Sequence, residues 1–431
     1  MKISVIGGAG VRTPLLVSGL TRSDLPIEEV ALYDPDEERL AAIAGVAERM
    51  SSGARITRSR SLGASVSGAS FVFTSIRVGG IEQRARDEAT AQRHGIAGQE
   101  TIGPAGFAMA ARTIPHMVGY AREIAARAPD AWIINFTNPV GMVTEAMRTA
   151  SDRAIGICDT PTELFEEVAH ALGLRSERCG FDYFGLNHLG WIREVYSGGT
   201  PQLHRLWSDP ALLQSVYKQP LFDPEALRDL RLLPTEYVYY YDQPQRAFEN
   251  LRRANHSRGD AIAALTRVLF EQLAERGTDT VGRYQTYLRA RSAGYMQIES
   301  GGTAPTAAAR DSGLSGYDRI ALGVVRAIHF NQNTIIPLSV PNRGNIHGLL
   351  DDDVVEVPCT VNANGARPLH VGEIPARVRP LLSQVKDYER RTVRAALARS
   401  LDGAREALAA NPLVPDAATA QHLVADLSPL W

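Results

Sequence analysis

The stretch VIGGAGVRTP, residues 5–14, most limits what this chain can fold into, because it joins a short apolar run to the start of a helical pattern. Glycines at a strand-to-helix turn let the backbone approach a pyrophosphate, which the amides and dipole of the helix N-terminus then favour. Gly8 and Gly10 supply that turn, Val11 and Arg12 follow, and Thr13 stands where a third glycine is common. Asp34 follows the second apolar run, where an acidic side chain can take ribose hydroxyls. Its carboxylate would repel a 2′-phosphate, so the cofactor expected is NAD rather than NADP. A glycine-rich turn and a solvated aspartate without a cofactor is the plainer alternative.

Downstream, β-rich runs alternate with helical patterns, as in a parallel sheet covered by helices. Strands are expected at 2–7, 29–33, 71–75, 131–136 and 154–157, and helices at 15–20, 37–50 and 105–127. From about residue 184 this rhythm stops. Helices near 259–276 and 315–330, strands at 334–340 and 354–361, and a helical tail follow. The expected class is α/β: a Rossmann-like parallel sheet over 1–183, then an α+β catalytic domain over 184–431, in the manner of the lactate/malate dehydrogenase-like superfamily.

Composition removes several function classes. The charge is nearly balanced, with 46 Lys+Arg against 48 Asp+Glu, so no basic surface for nucleic acid is expected. No apolar run approaches the ~20 residues that span a bilayer, and MKISVIGGAG lacks the pattern of a cleaved leader. Three scattered cysteines, Cys158, Cys179 and Cys359, suit a reducing compartment. A cytoplasmic protein acting on a small molecule, with no nucleic-acid or membrane partner, is therefore expected.

Ligands of open parallel sheets bind outside the carboxyl ends of the strands. Arg77, Arg84 and Arg86 follow the third expected strand, Asn138 the fourth, and Cys158 with Asp159 the fifth. Arginine forks suit phosphate or carboxylate, yet each could equally be a surface ion pair. Asn138, before Pro139, could be a turn residue. Cys158 could be buried filler, a nucleophile or a metal ligand. His188, in GLNHLGW, makes the third reading more attractive, since a thiolate and an imidazole form a two-residue site that substrate or water oxygens can complete. No base is placed by sequence to activate Cys158, and the neighbouring Asp159 disfavours a thiolate in the absence of a cation.

The run NFTNPVGMVTEAMRTASDRAIGIC resembles the signature of glycoside hydrolase family 4. The likeness extends through IGGAGVRTP, RVGGIEQRARDE, GQETIGPAGF, GLNHLGW and PTEYVYYY, and within the family is greatest to the 6-phospho-β-glucosidases. It implies a hydrolase that uses NAD catalytically, outside the two-carboxylate scheme of most glycosidases. Hydride leaves C3 of the sugar, a base takes the acidified C2 proton, the glycosidic oxygen is eliminated, water adds at C1 and the hydride returns.

Carried over by position, the resemblance implies that Cys158 and His188 hold Mn²⁺; the donor pair alone would lean toward zinc. Tyr237 is then the base at C2, Glu100 a group raising its basicity, and Asp159 a proton donor to the leaving oxygen. Asparagine is common beside the cysteine in β-specific members, so Asp159 leaves the anomeric preference open, with 6-phospho-α-glucosidase, α-galactosidase or uronidase as alternatives. Arg84, Asn138 and Arg258 match positions that contact the phosphorylated sugar, and Arg77 one near the cofactor. A homodimer or homotetramer is implied. An ordinary NAD-dependent 2-hydroxy-acid dehydrogenase would share the first turn and an arginine loop, and would not need the Cys158–His188 pair.

Overall fold

The computed structural model describes residues 1–254, 256–275, 279–302, 316–427 and 429–431. Six parallel strands come from the first half: β1 (Lys2–Ile6), β2 (Glu29–Tyr33), β3 (Arg55–Arg58), β4 (Phe71–Thr74), β5 (Trp132–Asn135) and β6 (Ala154–Gly156). A hairpin of β7 (Cys179–Leu186) and β8 (Leu189–Ser197), with the short β9 (Thr200–Pro201) and β10 (Leu233–Pro234), forms a second, antiparallel sheet. Three late strands, β11 (Thr334–Pro341), β12 (Val354–Asn362) and β13 (Gly365–Pro368), return to the first sheet. Its order is β13-β12-β11-β6-β5-β4-β1-β2-β3, with β11 antiparallel to β6 through Ser339 opposite Gly156.

The order in which strands are added thus reverses between β1 and β4, the place where doubly wound sheets open a ligand crevice. Gly7 follows β1 with φ +87°, and a Cβ there would lie 2.2 Å from the Ser75 carbonyl oxygen, so only glycine lets the turn pass the end of β4. The sequence pattern had put residue 7 in the strand and credited the turn to Gly8 and Gly10. The helix Thr13–Thr21 follows, opened by Pro14 in its first turn, where a missing N–H costs nothing. The helix Glu37–Met50 is capped by Asp36, which accepts from the Arg39 amide, with Glu37 and Glu38 against its positive end.

The remaining elements differ from expectation mainly at their ends. The expected 105–127 helix spans Gly103–Arg127 and runs on through Pro115. The expected 259–276 helix is Arg258–Ala274, and residue 276 lies outside the described residues; the expected 315–330 helix is Gly316–His329, and residue 315 lies outside them too. The edge strand β3, RITR, was missed because both its ends are exposed arginines and no apolar run marks it.

The strands expected near 334 and 354 build no sheet of their own. Ile336, Leu338, Val340, Val355, Val357 and Val361 are buried in one core with Ile3, Val72 and Ile133 of the parallel strands, because the apolar edge of β6 needs cover. β12 also packs against β7, which brings the antiparallel hairpin to the rim of the main sheet.

Candidate active site

Cys158 and Asp159 follow β6 after one residue, Ile157, and the helix Thr160–Ala171 begins behind them. His188 lies at the tight turn between β7 and β8, with φ +64°. The two elements meet so that the Cys158 Sγ is 3.4 Å from the His188 Nε2, and both side chains are buried. His188 Nδ1 is 2.8 Å from the Thr101 hydroxyl, which fixes the ring from its far side. Burial pulls the imidazole down to about 4, against the pull of Asp159 and Glu100, so it is neutral with a nitrogen facing the sulfur. Burial, reinforced by Glu356 and Asp159, pushes the Cys158 thiol well up.

A neutral imidazole beside a protonated thiol is a poor nucleophile pair. It suits a cation better: two donors about 2.0–2.3 Å from one ion stand roughly 3–3.6 Å apart across it, and these stand at 3.4 Å. Among the described residues no third histidine, cysteine, aspartate or glutamate joins them in a three-donor group. Substrate or water oxygens could complete the shell of such an ion.

The Tyr237 ring stacks on His188, with centroids 4.0 Å apart and planes 10° from parallel. Of the tyrosine cluster, Tyr239 and Tyr240 turn instead toward Glu299, so Tyr237 is the member laid against the histidine. Burial drives its phenol up, and the hydrogen bond it shares with Tyr295 partly offsets this. Tyr295 donates to Glu236 at 2.5 Å and its hydroxyl lies 3.3 Å from that of Tyr237. With the single Tyr295 proton on Glu236, Tyr237 is left as the donor in the second pair.

Glu100 faces Arg77 and Arg84, which both bond its carboxylate, rather than the Tyr237 hydroxyl. Burial would raise this carboxyl, but the two guanidinium groups overrule it and hold it well below the usual carboxylate range. The carboxylate connected to Tyr237 is Glu236, through Tyr295. Arg84 also pairs with Glu88 at 2.7 Å, and Glu88 in turn accepts the Gly259 amide at 2.7 Å. This docks the helix Arg258–Ala274, capped by the Ser257–Asp260 box, against the Arg84 helix and carries Arg258 to the same side. Arg258 donates to the Arg291 carbonyl at 2.5 Å. A small cavity is lined by Arg77, Arg84, Glu100 and Arg112.

Asp159 is paired with Arg12 at 3.2 Å, so a residue expected near the cofactor meets the expected proton donor. Asp34 accepts from the Ala9 amide at 3.2 Å, beside the turn that Gly8 and Gly10 shape. A Cβ on Gly8 would meet Leu32 and Tyr33, and the Val11 carbonyl accepts from Tyr284 at 2.7 Å, fastening the turn to the C-terminal half. Thr13 is buried at the helix start. Asn138 precedes Pro139 in a cis peptide on the loop after β5, half-buried, while the buried hub of that loop is Asn135, bonded to Thr74 and Thr144.

Sequence reasoning missed Thr101, Tyr295, Glu236 and Glu356. Glu356 alone carried a signal, an acid interrupting VVEVPC, because a strand of buried valines seldom spends a position on a carboxylate without a partner.

The family model described as family 4 glycosyl hydrolase matches residues 2–174, and that of the family's C-terminal domain matches 183–414. The chain belongs to family 4 of the glycosyl hydrolases. A probable 6-phospho-beta-glucosidase of Bacillus subtilis is 30% identical over 99% of this chain and 95% of its own. The solved 6-phospho-beta glucosidase from Thermotoga maritima with manganese, NAD+ and glucose-6-phosphate is similar at 29% identity and TM-score 0.84, over 99% of this chain and 97% of that one. A 6-phospho-alpha-glucosidase from gut microorganisms, with NAD and Mn2+, is similar at 26% identity and TM-score 0.80, over 100% and 98%. This family 4 chain matches those relatives end to end, and no described helix is long and apolar enough to cross a membrane.

Proposed function

We propose that this family 4 enzyme hydrolyses 6-phospho-β-glucosides in the cytoplasm, as a homodimer or homotetramer, with NAD and Mn²⁺ as cofactors. The observation that carries the reading is the stack of Tyr237 on His188, with His188 3.4 Å from Cys158, at the carboxyl end of β6. Relatives solved with NAD, manganese and glucose-6-phosphate support it. We further propose residues 1–183 as the cofactor half and 184–431 as the half that completes the substrate and metal site.

NAD, when bound, supplies a hydride acceptor that later returns the hydride, and Mn²⁺ supplies a Lewis acid. The chain's own residues do the rest. Gly8, Gly10, Val11, Arg12 and Thr13 would shape the pyrophosphate turn, Asp34 would take the ribose hydroxyls, and Arg77 would contact the cofactor. Cys158 and His188 hold the metal. Tyr237 first passes its own proton to Tyr295 as Tyr295 gives its proton to Glu236, and the resulting phenolate oxygen takes the C2 proton. Glu100, held by Arg77 and Arg84, raises the basicity of Tyr237 through its charge, with Arg84 on the 6-phosphate and Asn138 and Arg258 on the sugar. Asp159, once it leaves Arg12 and carries a proton, delivers that proton to the leaving oxygen.

The test is release of nitrophenol from p-nitrophenyl-β-glucoside 6-phosphate, with NAD, Mn²⁺ and a thiol added singly and together. Turnover only with the full set and no accumulating NADH supports the hydrolase, whereas NADH accumulating with a 2-hydroxy acid supports a dehydrogenase and sinks it. Asp159 beside Cys158 favours a second reading, an α-linked substrate of the same class. Faster turnover of the α-linked nitrophenyl compound, lost in Asp159→Asn, would establish that one.

A further inference from the structure

Glu356 is an acid in the middle of β12, 1% exposed, among buried valines. Its Oε2 accepts from the Tyr183 hydroxyl at 2.8 Å and its Oε1 from Asn187 Nδ2 at 3.1 Å. Tyr183 lies on β7 and Asn187 is the turn residue just before His188, so both bonds fasten one hairpin to the main sheet. The phenol reaches the carboxylate by crossing Gly190, where a Cβ would lie 2.0 Å from its oxygen. On its other side Glu356 stands opposite Ser339 of β11, which stands opposite Gly156 of β6, two residues before Cys158. Residue 356 is therefore tied by its carboxylate to the support of His188 and by its strand pairing to β11, the strand that lies against the support of Cys158.

Among the described residues this carboxylate makes no ion pair. A buried carboxylate without a cation is costly, and two neutral donors offset only part of that. A divalent ion between Cys158 and His188 would bring positive charge toward it. We propose that Glu356 is a positioning residue of the cation site: it holds the Asn187–His188 turn against the sheet and places negative charge behind the ion. The proposal rests on the reading of Cys158 and His188 as metal ligands.

The test titrates the full-length protein with Mn²⁺, following free ion by electron paramagnetic resonance, alongside NAD binding and thermal unfolding. Glu356→Gln keeps the shape and removes the charge, so its Kd for Mn²⁺ rises about 10–100-fold while NAD affinity and melting temperature hold. Unchanged Mn²⁺ affinity overturns the proposal, and so does a loss matched by equal losses of NAD affinity and stability. Should Glu356→Gln fail to fold, Tyr183→Phe and Asn187→Ala each remove one bond to the carboxylate. Weaker Mn²⁺ binding with NAD binding intact then supports the proposal, and unchanged Mn²⁺ binding in both overturns it. Failure of the underlying metal reading shows separately, as Mn²⁺ binding by the unsubstituted protein that survives Cys158→Ser.

Discussion

Burial drives the Tyr237 phenol up, so its phenolate is a strong base but scarce near neutral pH, and its position must supply help with losing the phenol proton. It is stacked on a candidate metal ligand, where a nearby cation stabilises phenolate. Tyr237→Phe removes one oxygen and keeps the ring stack, so kcat should fall about 10²–10⁴-fold, the range for a lost general base, while Mn²⁺ and NAD affinities stay put. Exchange of the C2 proton with solvent deuterium, followed by NMR, should disappear with it; exchange at the native rate would assign the base elsewhere. Lys386 makes the contrasting point about stability. It is wholly buried between Glu145 and Glu389, at 2.5 and 2.9 Å, and joins the helix Arg379–Ala398 to the helix Val140–Arg148. Lys386→Ala strands the buried Glu389 and the half-buried Glu145 and should cost about 3 kcal/mol in denaturant unfolding, whereas Lys386→Arg should cost much less.

Among the elements, the β1 turn is where a single atom should decide cofactor binding. Gly7→Ala must place a methyl 2.2 Å from a backbone oxygen in a left-handed conformation that alone costs about 1–2 kcal/mol, so the turn has to shift. NAD affinity should drop at least about tenfold by calorimetric titration; native affinity would show that the turn tolerates the change. The alternating rhythm of the first half, the Cys158–Asp159 strand end and the GLNHLGW turn were legible in the sequence because each is a local pattern with a strand period or a turn residue to mark it. The partners of Tyr237 were not. Glu236 is its neighbour in sequence, but Tyr295 arrives from a segment some sixty residues on, and only packing reveals that Glu100 is taken by two arginines. Gly7 was misread for a related reason: strand pattern and turn pattern overlap there, and the close approach to Ser75 that decides between them is a tertiary contact.

On the scale of the whole molecule, the chain's two halves are sequentially separate and physically joined. The strands β11 and β12 cover β6, Tyr284 fastens the β1 turn from the C-terminal half, and Glu356 fastens the hairpin that bears His188. Burying a valine, leucine or isoleucine contributes about 1.5–3 kcal/mol, so Ile336, Leu338, Val340, Val355, Val357 and Val361 together represent roughly 9–18 kcal/mol, as much as the ~5–15 kcal/mol by which a whole domain is stable. Residues 1–183 expressed alone should therefore lack a cooperative melt, expose an unpaired edge at β6 and bind no NAD, despite holding every glycine of the dinucleotide turn. Calorimetry of the full chain should by the same reasoning show one main transition, with NAD raising its midpoint. A soluble 1–183 fragment that melts cooperatively and binds NAD with native affinity would mean that the late strands cover the first half without being needed to fold it.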